Sequence, residues 1–157
     1  MAWSIQVVDG GDAAAIDAVR ELWSDYWDAL GFPVEFQSFA EELRTLPGKY
    51  GPPTGRLLLV RIDGQPAATA AFRQLTPEAC EAKRLYVAPA YRQRGIAIAL
   101  LTRLIEDARR AGYRTLYADT LPTMASALDL YRKNGFVETG PYSENPTPGA
   151  IYLRLAL

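Results

Sequence analysis

The stretch Arg92-Gln93-Arg94-Gly95-Ile96-Ala97 sets two guanidinium groups and an amide side chain before a glycine, at the point where an apolar run with helical spacing begins. The first amides of a helix have no intrahelical acceptor and the helix dipole is positive there, so the place suits an anion. Gly95 lets the backbone approach a ligand closely, and the small Ala97 leaves the first turn uncrowded. A P-loop would follow its glycine with Lys and Ser or Thr, to meet a transferring phosphate and magnesium. Neither follows here, so the pattern predicts that a diphosphate is held rather than cleaved. A solvated helix cap is the plainer alternative.

The remaining inventory limits the chemistry. The sequence has no histidine, which removes Ser-His-Asp and Cys-His catalysis and argues against a zinc or iron site; no metal is expected. Acids and bases must come from Asp, Glu, Tyr, Lys or the single cysteine, Cys80. Nothing beside Cys80 in the sequence would lower its thiol pKa, so it reads as a small strand residue rather than a nucleophile. Among 157 residues, 17 are Lys or Arg and 18 are Asp or Glu. That near-neutral balance lacks the signature of a nucleic-acid binder, and the length suits one domain over 1–157. The start MAWSIQVVDGGDAAA has no basic segment leading into an apolar run, and no stretch approaches the roughly 18 apolar residues of a membrane helix. The expectation is a cytoplasmic protein with no membrane partner.

Period and punctuation predict the elements that would carry these residues. Trp3 to Val8 reads as a strand, and Asp12 caps a helix whose apolar face is Ala15, Ile16, Val19, Leu22, Trp23, Tyr26, Trp27 and Leu30, stopped by Gly31 and Pro33. A shorter helix over Ser38 to Leu46 precedes the loop PGKYGPPTG. Arg56 to Ile62, the turn Asp63-Gly64 and Gln65 to Gln74 form a hairpin, because Asp-Gly tolerates the positive φ angles of a two-residue turn. Cys80 to Val87 is the next strand. In Gly95 to Gly112, Ala97, Leu100, Leu101, Leu104, Ile105 and Ala108 make one face, while Arg103, Glu106, Asp107, Arg109 and Arg110 are expected to face out. Strand Tyr113–Asp119, helix Thr123–Asn134, and strands Phe136–Thr139 and Ala150–Leu157 complete the chain. Strand, helix, strand over 80–119 implies a parallel pair with a right-handed crossover, within an α+β (mixed α/β) sheet that is mostly antiparallel and flanked by helices on both faces.

With "KRLYVAPAYRQRGIA" feeding the loop and "ASALDLYRKNGF" downstream, the chain resembles the GNAT superfamily of acyl-CoA-dependent N-acyltransferases. The match runs from about Cys80 to Val137, and the order of elements from Arg56 onward fits it. The resemblance implies N-acetyl transfer from acetyl-CoA to a primary amine by direct attack in a ternary complex. It implies that Arg92, Gln93, Arg94, Gly95, Ile96 and Ala97 hold the coenzyme A diphosphate, and that the strand from Leu85 to Val87 bonds the pantetheine arm as an added strand. By the same resemblance the Val87 amide polarises the thioester carbonyl, and Tyr131 lies near the sulfur as the acid that meets the departing thiolate. Glu81, on the same strand, is then the candidate base, acting directly or through water.

Departures and alternatives stand beside these roles. Many members carry Asn where Met124 stands here, so a contact to the pantetheine is in doubt. Tyr131 also reads as a core tyrosine, and Glu81 as a strand carboxylate paired with Lys83. Trp23, Tyr26, Trp27 and Phe32, with Glu35, suggest an aromatic and acidic wall for a cationic amine or, equally, a core; Tyr142, Glu144 and Asn145 suggest a loop closing over the site or a surface turn. The acceptor is not specified, and the resemblance is compatible with a homodimer. A non-catalytic acyl-CoA sensor and a nucleotide-binding regulatory module remain open as rival readings.

Overall fold

In the computed structural model, which describes residues 3–33, 38–142 and 148–157, the local signals become elements with small shifts at their ends. Asp12 caps α1 (Ala13–Leu30), its Oδ1 accepting from the Ala15 amide at 3.0 Å, and Gly31 ends the helix at φ 74°. Helix α2 covers Phe39–Thr45. The hairpin joins β2 (Arg56–Ile62) to β3 (Gln65–Thr76) through Asp63 and Gly64, both at positive φ as the two-residue turn requires. With β1 (Ile5–Val7), β4 (Ala79–Val87), α3 (Ile96–Arg110), β5 (Thr115–Thr120), α4 (Ala125–Lys133), β6 (Val137–Thr139) and β7 (Ile151–Ala156), the strands form one sheet in the order β1-β2-β3-β4-β5-β7-β6. Only β4 and β5 run parallel among the described pairings, as the strand-helix-strand pattern predicts.

Both sheet faces are covered, which explains why β2 reads as an almost unbroken apolar run. Leu58, Val60 and Ile62 join a cluster with Leu100, Leu101 and Leu104 of α3. Leu57 and Leu59, displaced by the strand period of two, join Val19, Trp23 and Trp27 of α1 and Phe39 of α2. Trp27 stacks on Phe39 with ring centroids 4.2 Å apart, and the Trp23 ring meets Tyr50 edge-on at 5.2 Å. Truncating either tryptophan to Ala costs about 3–5 kcal/mol.

One expectation is corrected. Asp107 does not face solvent: its side chain is 3% exposed, Arg103 Nε reaches it at 3.0 Å, and Arg56 Nε makes an ionic contact at 3.2 Å without hydrogen-bond alignment. A buried carboxylate needs that cationic company, which a polar position on a helical wheel does not reveal. Within the loop PGKYGPPTG, Gly48–Tyr50 forms a 3-10 turn that buries Tyr50 in the core. Glu35, Glu144 and Asn145 lie outside the described residues.

Candidate active site

The site is made by a fork in the sheet. β4 and β5 pair from Ala79 and Thr115 to Ala82 and Ala118, and there the pairing stops, although β4 continues to Val87 beside β3. Residues 83–87 are therefore left with one edge that no strand among the described residues covers. At the end of this stretch the Ala88 amide donates to the Ala67 carbonyl at 2.8 Å, so in the antiparallel alternation the neighbouring pair Ala68 and Val87 is the unbonded one. Val87 accordingly turns its amide and carbonyl toward the open edge, and Arg92 Nε occupies the carbonyl at 2.9 Å.

A bulge on β4 prepares the fork. The register with β3 slips between Thr69 and Ala71, and Arg84 takes φ 59°. Before the slip Cys80 and Ala82 pack on the α3 side; after it Leu85 and Val87 do. Lys83 and Arg84 thus fall consecutively on the other side, a break in alternation that the sequence pattern hides. Arg84 holds that conformation from beneath. Its guanidinium meets Glu42 of α2 at 2.7 Å and lies 4.7 Å from the Trp27 ring centroid, while Tyr50 donates to the same carboxylate at 3.0 Å. Lys49 closes the group at 2.9 Å from Glu42.

Beyond the strand, Gln93 at φ 63° and Gly95 at φ 78° turn the chain into α3. Within the chain, glycine is needed at 95 for its left-handed backbone rather than for its size, since a Cβ there would meet only open space. The helix bonding starts from the Ala99 amide to the Gly95 carbonyl at 3.2 Å, so the amides of 95–98 have no acceptor within the helix. No side chain caps this end, and Arg92, Gln93 and Arg94 surround it as exposed residues. Ile96 is the exception among the expected anion-site residues: its side chain is buried in the core, leaving its backbone amide as the contribution. This donor set suits a diphosphate at the mouth of the fork.

The cleft running inward from the fork is lined by Tyr26, Leu30 and Phe32 from α1 and its exit, Lys83 to Leu85 from β4, Asp119 and Thr120 from β5, and Met124, Ala127 and Tyr131 around α4. Tyr131 is buried, and that burial, with Tyr26, Asp119 and Glu81 nearby, raises its phenol pKa above the ordinary range. It stays protonated at neutral pH, but complete proton transfer to a thiolate is steeper than for a free phenol. Thr120 is buried with its hydroxyl unpaired among the described residues, a polar atom suited to a ligand. Met124 precedes α4 without a side-chain cap and contributes its thioether to the cleft instead.

Glu81 lies one step removed from this lining. Arg73 Nε and Nη2 both reach its Oε1 at 2.9 Å, Lys83 stands 3.9 Å away, and Tyr142 donates to Oε2 at 2.6 Å. Burial and the Glu81 charge raise the Tyr142 phenol, which keeps it a donor. Trp23 is a core residue, and Trp27 is buried but borders the cleft together with Tyr26 and Phe32. Cys80 is buried and its thiol is pushed up to about 12 by desolvation, so it is not a nucleophile in the folded chain. Sequence reasoning missed Arg84, Asp119 and Thr120; the position of Asp119 near the end of a strand was the available signal. Among the described residues no group of three or more His, Cys, Asp or Glu could hold a metal ion.

Residues 16–136 match the acetyltransferase (GNAT) family. An uncharacterized N-acetyltransferase of Schizosaccharomyces pombe is 35% identical over 144 residues, covering 90% of this chain and 88% of that protein. An acetyltransferase from Streptococcus agalactiae has the same fold at a TM-score of 0.83 and 12% identity, covering 99% of this chain and 98% of that one. A GNAT family acetyltransferase from Elizabethkingia anophelis with acetyl-CoA bound superposes at 0.68 with 20% identity, covering 99% and 98%. No helix among the described residues is long and apolar enough to cross a membrane. On the family match and the N-acetyltransferase relative, this chain is a member of the acetyltransferase (GNAT) family.

Proposed function

We propose that the protein transfers the acetyl group of acetyl-CoA to a primary amine by direct attack in a ternary complex, in the cytoplasm and without a metal. The observation that supports this reading is that the uncovered edge of β4 begins in the cleft that Tyr131 lines and runs on toward the turn before the open amides of α3. Acetyl-CoA supplies an activated acyl thioester. Arg92, Gln93 and Arg94, with the amides of Gly95, Ile96 and Ala97, hold its diphosphate, and the edge from Leu85 to Val87 bonds the pantetheine arm as an added strand. The Val87 amide, turned into the fork, donates to the thioester carbonyl oxygen where negative charge develops.

Tyr131 donates a hydrogen bond to the departing sulfur. The amine, with a pKa near 10, must lose a proton before it attacks, and a free Glu near 4.3 is a weak acceptor for it. Glu81 receives that proton by way of water or the Tyr142 hydroxyl, since Arg73 and Tyr142 already occupy its two oxygens. Thiol release from acetyl-CoA across a panel of amines tests the reading. Tyr131→Phe should keep acetyl-CoA affinity and lower kcat about 10²-fold, the lower end for a general acid. Turnover of Tyr131→Phe at the wild-type rate removes the acid role, and acetyl-CoA binding without turnover on any amine would instead support a sensor.

A further inference from the structure

Where the two strands part, the fork brings two opposite charges, Lys83 and Asp119, to the lining of one cleft. In the paired part of β4 and β5, Glu81 stands opposite Tyr117. Two residues further along each strand come Lys83 and Asp119, on the same face by the strand period, and both line the cleft. A continued ladder would make them direct neighbours and an ordinary cross-strand ion pair. The strands part just before that point, and no such pair closes: the carboxylate recorded near Lys83 is Glu81, 3.9 Å away, whose Oε1 Arg73 already holds at 2.9 Å. The Lys83 side chain is only 13% exposed, so its ammonium has lost most of its water without gaining a close counter-ion. Across the gap the charge of Asp119 acts on the phenols of Tyr26 and Tyr131, which places it beside the reacting end of the cleft.

We propose that this gap reads the acceptor, and that the acceptor is a zwitterion of the α-amino-acid type, its ammonium against Asp119, its carboxylate against Lys83 and its side chain along Tyr26, Leu30 and Phe32. The proposal rests on the acetyl-transfer reading and adds the substrate class. A simple amine brings no counter-charge to Lys83 and leaves it desolvated. A diamine fares worse, because its second charge would meet Lys83 with Arg84 next to it. Arg84 is not the carboxylate's partner, being committed to Glu42 at 2.7 Å.

Phenylalanine and phenethylamine differ only by the carboxylate, and both offer a ring to the aromatic wall. With acetyl-CoA and thiol release as the readout, kcat/KM for phenylalanine should exceed that for phenethylamine about 10- to 100-fold, the range of one charge-assisted hydrogen bond. Lys83→Gln should erase that preference, while Asp119→Asn should lower both substrates by a similar factor. Stabilisation of each variant by acetyl-CoA in a thermal melt verifies that the fold and the diphosphate site survive. Phenethylamine turned over as well as phenylalanine by the wild-type protein, or Lys83→Gln lowering both equally, overturns this proposal alone. Silence toward every amine, with acetyl-CoA still stabilising the protein, overturns the transfer reading as well. The wild-type comparison decides even if a variant fails to fold.

Discussion

Replacing Glu42 by Gln should be among the most destabilising single changes that alter almost no volume. The Arg84 guanidinium beneath the β4 bulge is 4% exposed at its side chain, and Glu42, at 6%, is its recorded ionic partner, 2.7 Å away. Removing one member of a buried pair leaves the other charge uncompensated, at a cost of about 3–5 kcal/mol. Here the lower end applies. Arg84 keeps the faces of Trp27 at 4.7 Å and Phe39 at 5.4 Å, and the Gln carbonyl still accepts a hydrogen bond. A loss of about 3 kcal/mol corresponds to a fall in Tm of about 6–12 °C for a domain of this size. Denaturant unfolding at neutral pH measures it. Glu42→Gln with Arg84→Met removes both charges and keeps an acceptor for the buried Tyr50 hydroxyl, so the double variant should be more stable than Glu42→Gln alone by at least about 1 kcal/mol. A single variant within about 1 kcal/mol of wild type, or a double variant whose loss is the sum of its parts, would refute the argument.

The same pair sets an acid limit. Burial works to raise the Glu42 carboxyl pKa, but Arg84 and Lys49 outweigh it and the group is held below its ordinary value. A depressed carboxyl contributes its stability above the unfolded value, about 4.3, and loses it as pH falls through the lower folded one. The deficit of Glu42→Gln relative to wild type should therefore shrink on acidification below about pH 4.3, and equal deficits at pH 7 and pH 3 would contradict the sign. Gly95→Ala forces a Cβ onto φ 78° and should cost about 1–2 kcal/mol with weaker acetyl-CoA binding, read by calorimetry; unchanged affinity would detach this turn from the diphosphate. Cys80 should resist alkylation at pH 8 in the native protein, its thiol being buried and raised to about 12, and react only after denaturation. Asp107→Ala should lose about 2 kcal/mol or more by leaving Arg56 and Arg103 without their shared carboxylate, where an exposed helix position would lose almost nothing.

Much of the fold was legible because its signals are local. The Asp12 cap, the Asp63-Gly64 turn and the apolar stripes of α1 and α3 each depend on residues a few positions apart, and the structure shows them where spacing and turn chemistry put them. The anion site proposed at Gly95 belongs to the same class, since a helix start and its neighbouring arginines are adjacent in the chain. The resemblance to a family then fitted the succession of elements from Arg56 onward and implied a role for Tyr131, while the order of strands within the sheet came from the structure.

What the sequence alone determined is therefore the elements, their order and the donor-rich turn before α3. Only the tertiary structure decided where β4 and β5 part, which side of the sheet Lys83 and Arg84 occupy after the bulge, and that Asp119 shares a cleft with Tyr131. The physical reason is that a register slip or a lost strand pairing is settled by packing between distant segments. The Glu42–Arg84 pair that supports the bulge spans 42 positions, and no periodicity in either segment announces it.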